Sequence, residues 1–108
     1  MKKFDLTYRM LNDMYQDGYF PDFLVDKIKQ LLQDVVAFLE TGERDLGKIQ
    51  NRFDEMTLAI NDLQEEFEEN DSEIETGARD SIGETVEYIL KWFDIDLDVE
   101  DAIGQRDW

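Results

Sequence analysis

Residues 46–67 read LGKIQNRFDEMTLAINDLQEEF, and this stretch carries the clearest structural pattern in the chain. Its apolar side chains recur at alternating intervals of three and four residues, the spacing of one face of an α-helix. That face consists of Leu46, Ile49, Phe53, Met56, Ile60, Leu63 and Phe67. Asp45 stands where a helix cap is favoured, and Asn70 stands near the expected end. The pattern therefore predicts a long amphipathic helix.

Similar signals predict a helix on either side of this stretch. Pro21 suits the first turn of a helix that Thr41-Gly42 would close. Its apolar stripe comprises Leu24, Ile28, Leu31, Leu32, Val35, Phe38 and Leu39. Downstream, Ser72 and Glu75 match a capping box, which predicts a further helix running to about residue 93.

The two ends of the chain carry weaker signals. A first helix is expected after Asp5, running to about Asp17, where Gly18 would end it in a left-handed conformation. In the tail, Ile95, Leu97 and Val99 alternate with acidic residues. This tail has two interpretations, an extended segment laid on the bundle or a short helix over about 99–103.

Long helices joined by short connections pack antiparallel to one another. We therefore predict a single all-α domain over residues 1–108. Its expected architecture is an up-and-down antiparallel four-helix bundle, followed by a short C-terminal helix or an extended tail.

Charge is distributed unevenly along the chain. The 28 acidic and 11 basic residues give a net charge of −17. Residues 55–108 hold 18 of those acids and three of those bases, so this half alone carries −15. Such a field attracts basic surfaces and repels phosphate backbones and anionic lipid. The charge predicts a basic protein partner and argues against nucleic acid and membranes.

The residue types present restrict the chemistry. The chain contains no His and no Cys, which removes the usual general base, nucleophile and zinc ligands. The acids at 94–101 resemble the start of a calcium loop, but Val99 replaces the required Gly and Gln105 the required Glu. We expect no enzyme activity, no cofactor and no dedicated metal site. Since no apolar run resembles a signal peptide or a membrane span, the expected location is the cytoplasm.

A dense group of acids surrounds the connection between the third and fourth predicted helices, and residues 65–75 are called the acidic turn below. Its candidate partner-binding residues are Glu65, Glu66, Glu68, Glu69, Asp71 and Glu73. Several of them stand at a helix C-terminus, where the helix dipole disfavours negative charge by about 0.3–1 kcal/mol each. The group is interpreted either as a docking face for a basic partner or as a solvated surface.

Four aromatic residues, Tyr15, Tyr19, Phe20 and Phe23, surround the Gly18–Pro21 turn, and Trp108 stands far from them in sequence. We expect Trp108 to pack back against this aromatic region, with Arg106 paired to a nearby acid. The alternative makes Tyr19, Phe20 and Trp108 an exposed contact patch for a partner. Arg79 is expected to pair with Glu75 one turn earlier, or to act as a ligand for an anion.

Several segments together resemble a family of small bacterial proteins of unknown function. They are YFPDFLVDK at 19–27, NDLQEEF at 61–67, SEIET at 72–76 with the following Ala78-Arg79, and the final RDW at 106–108. The resemblance covers most of the chain. It implies that the tail ending in Trp108 belongs to the fold, and it implies no activity or cofactor.

Two functional hypotheses remain. The first is a cytoplasmic protein-binding module, immunity-like or antitoxin-like, that neutralises a basic partner through its acidic half. The second is a helical bundle that self-assembles or acts as a scaffold. A homodimer would then use the apolar face of residues 46–67, or the small residues Gly77, Ala78 and Ser81.

Overall fold

The computed structural model describes residues 2–108 and shows five α-helices, with no strand in that range. They are α1 (Asn12–Gln16), α2 (Asp22–Glu40), α3 (Leu46–Glu69), α4 (Thr76–Trp92) and α5 (Val99–Ala102). α1 lies against α2 and α4, and α5 lies against α3 and α4. Buried apolar residues from Phe4 to Trp108 form one core. The predicted all-α bundle is confirmed, with three long helices and two short ones.

The helical hairpin of α2 and α3 follows the sequence prediction closely. Gly42 has a φ of 90°, which turns the chain just after α2 ends. Asp45 caps α3, because its Oδ1 accepts hydrogen bonds from Gly47 N at 2.8 Å and Lys48 N at 3.2 Å. The predicted face of α3 packs against α2, with Phe53 and Ile60 fully buried.

The prediction of a first helix starting after Asp5 is wrong, since α1 begins only at Asn12. Leu11 precedes it with a φ of 59°, a left-handed conformation that interrupts any earlier helix. Asp5 Oδ1 instead accepts hydrogen bonds from Thr7 N and Thr7 Oγ1, which forms a local turn. Gly18 also differs from expectation, because α1 ends at the extended residue Asp17.

Residues 2–11, called the N-terminal strap below, are held by tertiary contacts. Phe4 N donates to Glu40 Oε2 at 2.8 Å on α2, and Trp92 Nε1 donates to the Lys3 carbonyl at 2.8 Å. The Phe4 ring packs among the aromatic rings of α4. These contacts hold the strap across α2 and α4. If α1 began earlier in the chain, the strap could not form them.

The predicted capping box at Ser72 is also wrong. Glu75 is itself the N-cap of α4, and its Oε1 accepts hydrogen bonds from Gly77 N at 3.0 Å and Ala78 N at 3.3 Å. A Cβ on Gly77 would lie 2.8 Å from that same oxygen. A side chain at position 77 would therefore have to displace the capping carboxylate, and Ser72 is buried in the preceding connection.

Helices α3 and α4 end in the same way, with an aspartate in the left-handed conformation. Asp71 (φ 58°) follows α3 and Asp94 (φ 54°) follows α4. Beyond them, Ser72 N donates to the Phe67 carbonyl and Ile95 N donates to the Leu90 carbonyl, both at 2.9 Å. This is the Schellman arrangement, which usually places glycine at the left-handed position.

The tail combines both predicted interpretations. Residues 95–98 are extended, with Ile95 buried and Asp96 exposed, and α5 follows from Val99 to Ala102. Polar side chains of α3 then hold the end of the chain. Gln50 Nε2 donates to the Asp101 carbonyl at 2.9 Å, and Asn61 Nδ2 donates to the Gln105 carbonyl at 2.9 Å.

Candidate functional site

The acidic turn lies at one end of the bundle, where α3 stops and α4 starts. Five of its candidate residues are exposed: Glu65, Glu68, Glu69, Asp71 and Glu73. Glu66 differs from them, because its Oε2 lies 2.7 Å from Lys27 Nζ on α2. In residues 2–108 the remaining ion pairs join other parts of the surface. Most of the negative charge of the turn therefore faces solvent.

The ends of α3 and α4 differ in the charge that surrounds their last carbonyls. At the end of α4, Lys2 Nζ donates to the Trp92 carbonyl at 2.6 Å, and Arg44 Nη1 donates to the Phe93 carbonyl at 2.7 Å. Within the described chain, no cation donates to the carbonyls that end α3, and the Asn70 side chain binds the Glu66 carbonyl there instead. The negative end of the α3 dipole is thus reinforced by acids.

Two aromatic side chains are exposed beside this acidic end. Tyr19 is 43% exposed and Phe23 is 51% exposed. Burial, followed by the carboxylates of Glu73 and Glu75, raises the pKa of Tyr19 above its ordinary value, which places Tyr19 beside the acidic turn. Phe23 stands one helical turn before Lys27, on the side of α2 that faces Glu66. The sequence placed Phe23 in the aromatic group around the Gly18–Pro21 turn, whereas Lys27 was not predicted as a member of this surface.

Phe20 and Trp108 lie in the core, which corrects their assignment to a partner-binding surface. Phe20 is 4% exposed and Trp108 is 8% exposed. None of the close ring pairs within residues 2–108 joins Trp108 to the aromatic residues near Pro21. Trp108 instead ends a segment that α3 and α4 hold, and Arg106 pairs with Glu100 at 2.9 Å.

Arg79 has a structural contact that differs from the predicted one. Its Nε donates to the Trp108 backbone oxygen at 3.1 Å. The expected ion pair with Glu75 is absent from the described residues, because the Glu75 carboxylate caps α4. Arg79 therefore fastens the tail to α4.

A second surface feature, a groove on α4, was not predicted. Tyr8 of the N-terminal strap stacks on Tyr88, with ring centroids 4.0 Å apart. A cavity of about 280 Å³ lies beside them, lined by Tyr8, Glu84, Glu87, Tyr88 and Lys91. No local sequence signal could have paired two tyrosines that are 80 positions apart.

Within residues 2–108, no three His, Cys, Asp or Glu side chains are grouped closely enough to hold a metal ion. None of the helices described there is long and apolar enough to cross a bilayer. The exposed groups at the acidic turn are carboxylates and aromatic rings, which together recognise cations.

The described residues thus form an acidic all-α bundle with a group of exposed carboxylates at one end. The chain belongs to a family of unknown function (DUF5713), whose model matches residues 4–108. That match extends to the C-terminal segment, as the resemblance implied. A search of curated proteins found no match. A search of solved structures also found none.

Proposed function

We propose that this protein is a cytoplasmic protein-binding module that docks a basic protein through its acidic turn, in the manner of an immunity protein or antitoxin. The observation that carries the proposal is the exposed pair Tyr19 and Phe23 beside an uncompensated group of carboxylates. Exposed aromatic rings contribute contact area at protein interfaces, and the acids around them select a partner of opposite charge.

The cost of the acidic turn supports this proposal. Acids at the end of α3 oppose the helix dipole, and Asp71 also occupies a left-handed position that favours glycine. Apart from the ion pair of Glu66 with Lys27, these features reduce the stability of the free protein without an intramolecular benefit. A basic partner would supply the positive charge that Lys2 and Arg44 supply at the end of α4.

Capture experiments test the proposal with two matched variants. The test variant carries Glu65→Gln, Glu66→Gln, Glu68→Gln and Glu69→Gln. The control carries Asp34→Asn, Glu55→Gln, Asp96→Asn and Asp98→Asn, which removes the same charge elsewhere. From the cytoplasm of the source organism at low salt, we expect the wild type and the control to capture the same basic protein.

The test variant is expected to bind that protein at least about tenfold more weakly, since removing rim charges lowers the association rate. It should also unfold at a slightly higher temperature, because the end of α3 is relieved of repulsion. Equal affinity of the two variants, or binding indifferent to salt, would contradict the proposal.

Self-assembly through the two predicted faces receives less support. Ile49, Phe53 and Ile60 of the α3 face are fully buried within one chain. Gly77 is explained by the cap of α4, and Ala78 is buried against the core. Light scattering at high protein concentration tests the scaffold hypothesis directly, and a strict monomer would contradict it.

A further inference from the structure

A row of nearly parallel aromatic rings lies on the exposed side of α4. Tyr8 stacks on Tyr88 with an angle of 15° between the rings, and Tyr88 lies 6.1 Å from Trp92 at an angle of 19°. Tyr88 is held in place because its hydroxyl donates to Asp5 Oδ2 at 2.6 Å. At the Trp92 end, Lys2 Nζ lies 4.9 Å from the ring centroid. The chain itself thus places a cation against one end of this row.

The other end of the row opens into the groove on α4. Its first cavity, about 280 Å³, is lined by the rings of Tyr8 and Tyr88 and by the charged side chains of Glu84, Glu87 and Lys91. A second cavity of about 280 Å³ shares Glu84 and Glu87 and continues past Gly83 and Asp80 to Arg79 and Arg106. The groove therefore joins aromatic ring surfaces to carboxylates along two turns of α4. Lys91 lines its first cavity, and Arg79 and Arg106 line its second.

The carboxylates of the groove are only partly compensated. Glu87 pairs with Lys91 at 2.9 Å, whereas no cation within residues 2–108 lies within ion-pair distance of Asp80 or Glu84. Asp80 and Glu84 stand one turn apart, a like-charge spacing that destabilises a helix. Gly83 stands between them, and a Cβ there would meet nothing within 4 Å. Packing within the chain explains neither the spacing of Asp80 and Glu84 nor the glycine between them.

We propose that this groove binds an arginine side chain of a basic protein segment, with the guanidinium against the ring of Tyr8 at the end of the row and in an ion pair with Glu84. Arginine fits better than lysine because its planar guanidinium stacks on aromatic rings and presents several donors in a fork. The small surface of Gly83 lets the backbone of the segment approach α4 closely. The assumption that the segment belongs to a basic protein partner rests on the proposed function. The groove is a contact site separate from the acidic turn.

A titration with the peptide acetyl-Arg-Arg-Arg-amide, followed by NMR shifts of the backbone amides, tests the assignment. We expect the largest shifts at Tyr8, Glu84 and Tyr88. Glu84→Gln should weaken binding about fivefold, whereas Glu55→Gln, the same change on α3, should leave the dissociation constant unchanged. Acetyl-Lys-Lys-Lys-amide should bind more weakly than the arginine peptide. Tyr8→Leu should weaken arginine binding, and Tyr8→Phe, which keeps the ring, should retain most of it.

The groove assignment is overturned if Glu84→Gln and Glu55→Gln have equal effects, or if the shifts centre on residues 65–73. It is also overturned if no shifts appear, or if the lysine peptide binds as tightly as the arginine peptide. None of these results would affect capture of a partner through the acidic turn. Conversely, loss of the proposed function in the capture experiment would leave a measured groove–arginine contact standing.

Discussion

The two glycines of α4 have different surroundings, so replacing them should affect stability differently. Gly77 leaves room for the carboxylate of Glu75, whereas Gly83 faces open space. We expect Gly83→Ala to raise the free energy of unfolding by about 0.5–1 kcal/mol, because alanine loses less backbone entropy on folding. Gly77→Ala should give no such gain, since displacing the Glu75 cap costs about 1 kcal/mol. Urea unfolding of both variants measures this difference, and equal gains would show that the cap contributes nothing.

Asp71 combines an unfavourable conformation with an unfavourable charge. Asp71→Gly should raise the free energy of unfolding by about 1 kcal/mol, because glycine adopts the left-handed conformation without strain. Asp71→Asn should raise the free energy of unfolding by about 0.3–1 kcal/mol, since it removes only the charge at the helix end. Asp71→Ala serves as the control that keeps the strain. Thermal unfolding in low salt compares the three variants, and a glycine variant no more stable than the alanine variant would refute the conformational explanation.

At the scale of elements, the N-terminal strap shows how tertiary contacts override a helix signal. The strap ends in a left-handed Leu11, and its residues Phe4 and Asp5 are bound to α2 and α4. Hydrogen bonds from Thr7 and then from Tyr88 lower the pKa of Asp5. The hydrogen bond to Asp5 is in turn the main cause that raises the pKa of Tyr88. The attachment of the strap should therefore depend on pH at both extremes.

The sign of this dependence follows from the two shifts. Stability from Asp5 is present above its ordinary pKa of 3.8 and is lost as the pH falls through the lower folded value. Stability from Tyr88 is present below 10.0 and is lost as the pH rises through its raised folded pKa. Tyr88→Phe should therefore lower the free energy of unfolding at neutral pH. The difference from the wild type should become smaller below about pH 3.8 and above about pH 10.

Urea midpoints of the wild type and Tyr88→Phe across this pH range provide the measurement. Tyr8→Phe is the matched control, because the Tyr8 hydroxyl makes no hydrogen bond within residues 2–108. A Tyr88→Phe penalty that stayed constant from acid to alkali would show that the pair contributes through packing alone.

For the whole molecule, self-repulsion is the dominant electrostatic effect. A net charge of −17 is opposed by four partly exposed ion pairs among the described residues. We expect the urea midpoint to rise with NaCl, most steeply up to about 0.15 M, where the screening length is about 8 Å. The variant with four Glu→Gln changes at 65, 66, 68 and 69 should show a smaller rise. A midpoint that falls with salt would mean that ion pairs outweigh repulsion.

Short-range information determined most of the helices. The limits of α2 and α3 follow from Pro21, Asp45 and the three-and-four spacing of apolar residues, because caps and helix faces involve residues within one or two turns. The excess of negative charge is likewise a property of composition. The sequence alone therefore indicated an acidic all-α bundle and the position of the acidic turn.

Only the tertiary structure decided how distant segments meet. It placed Glu75 rather than Ser72 at the cap of α4, bound Arg79 to Trp108, buried Phe20 and stacked Tyr8 on Tyr88. Each of these outcomes depends on which side chains the packed core brings together across long stretches of chain. A local sequence pattern cannot predict those contacts. The free energy gained by burying the strap and the tail depends on apolar surfaces from the whole bundle.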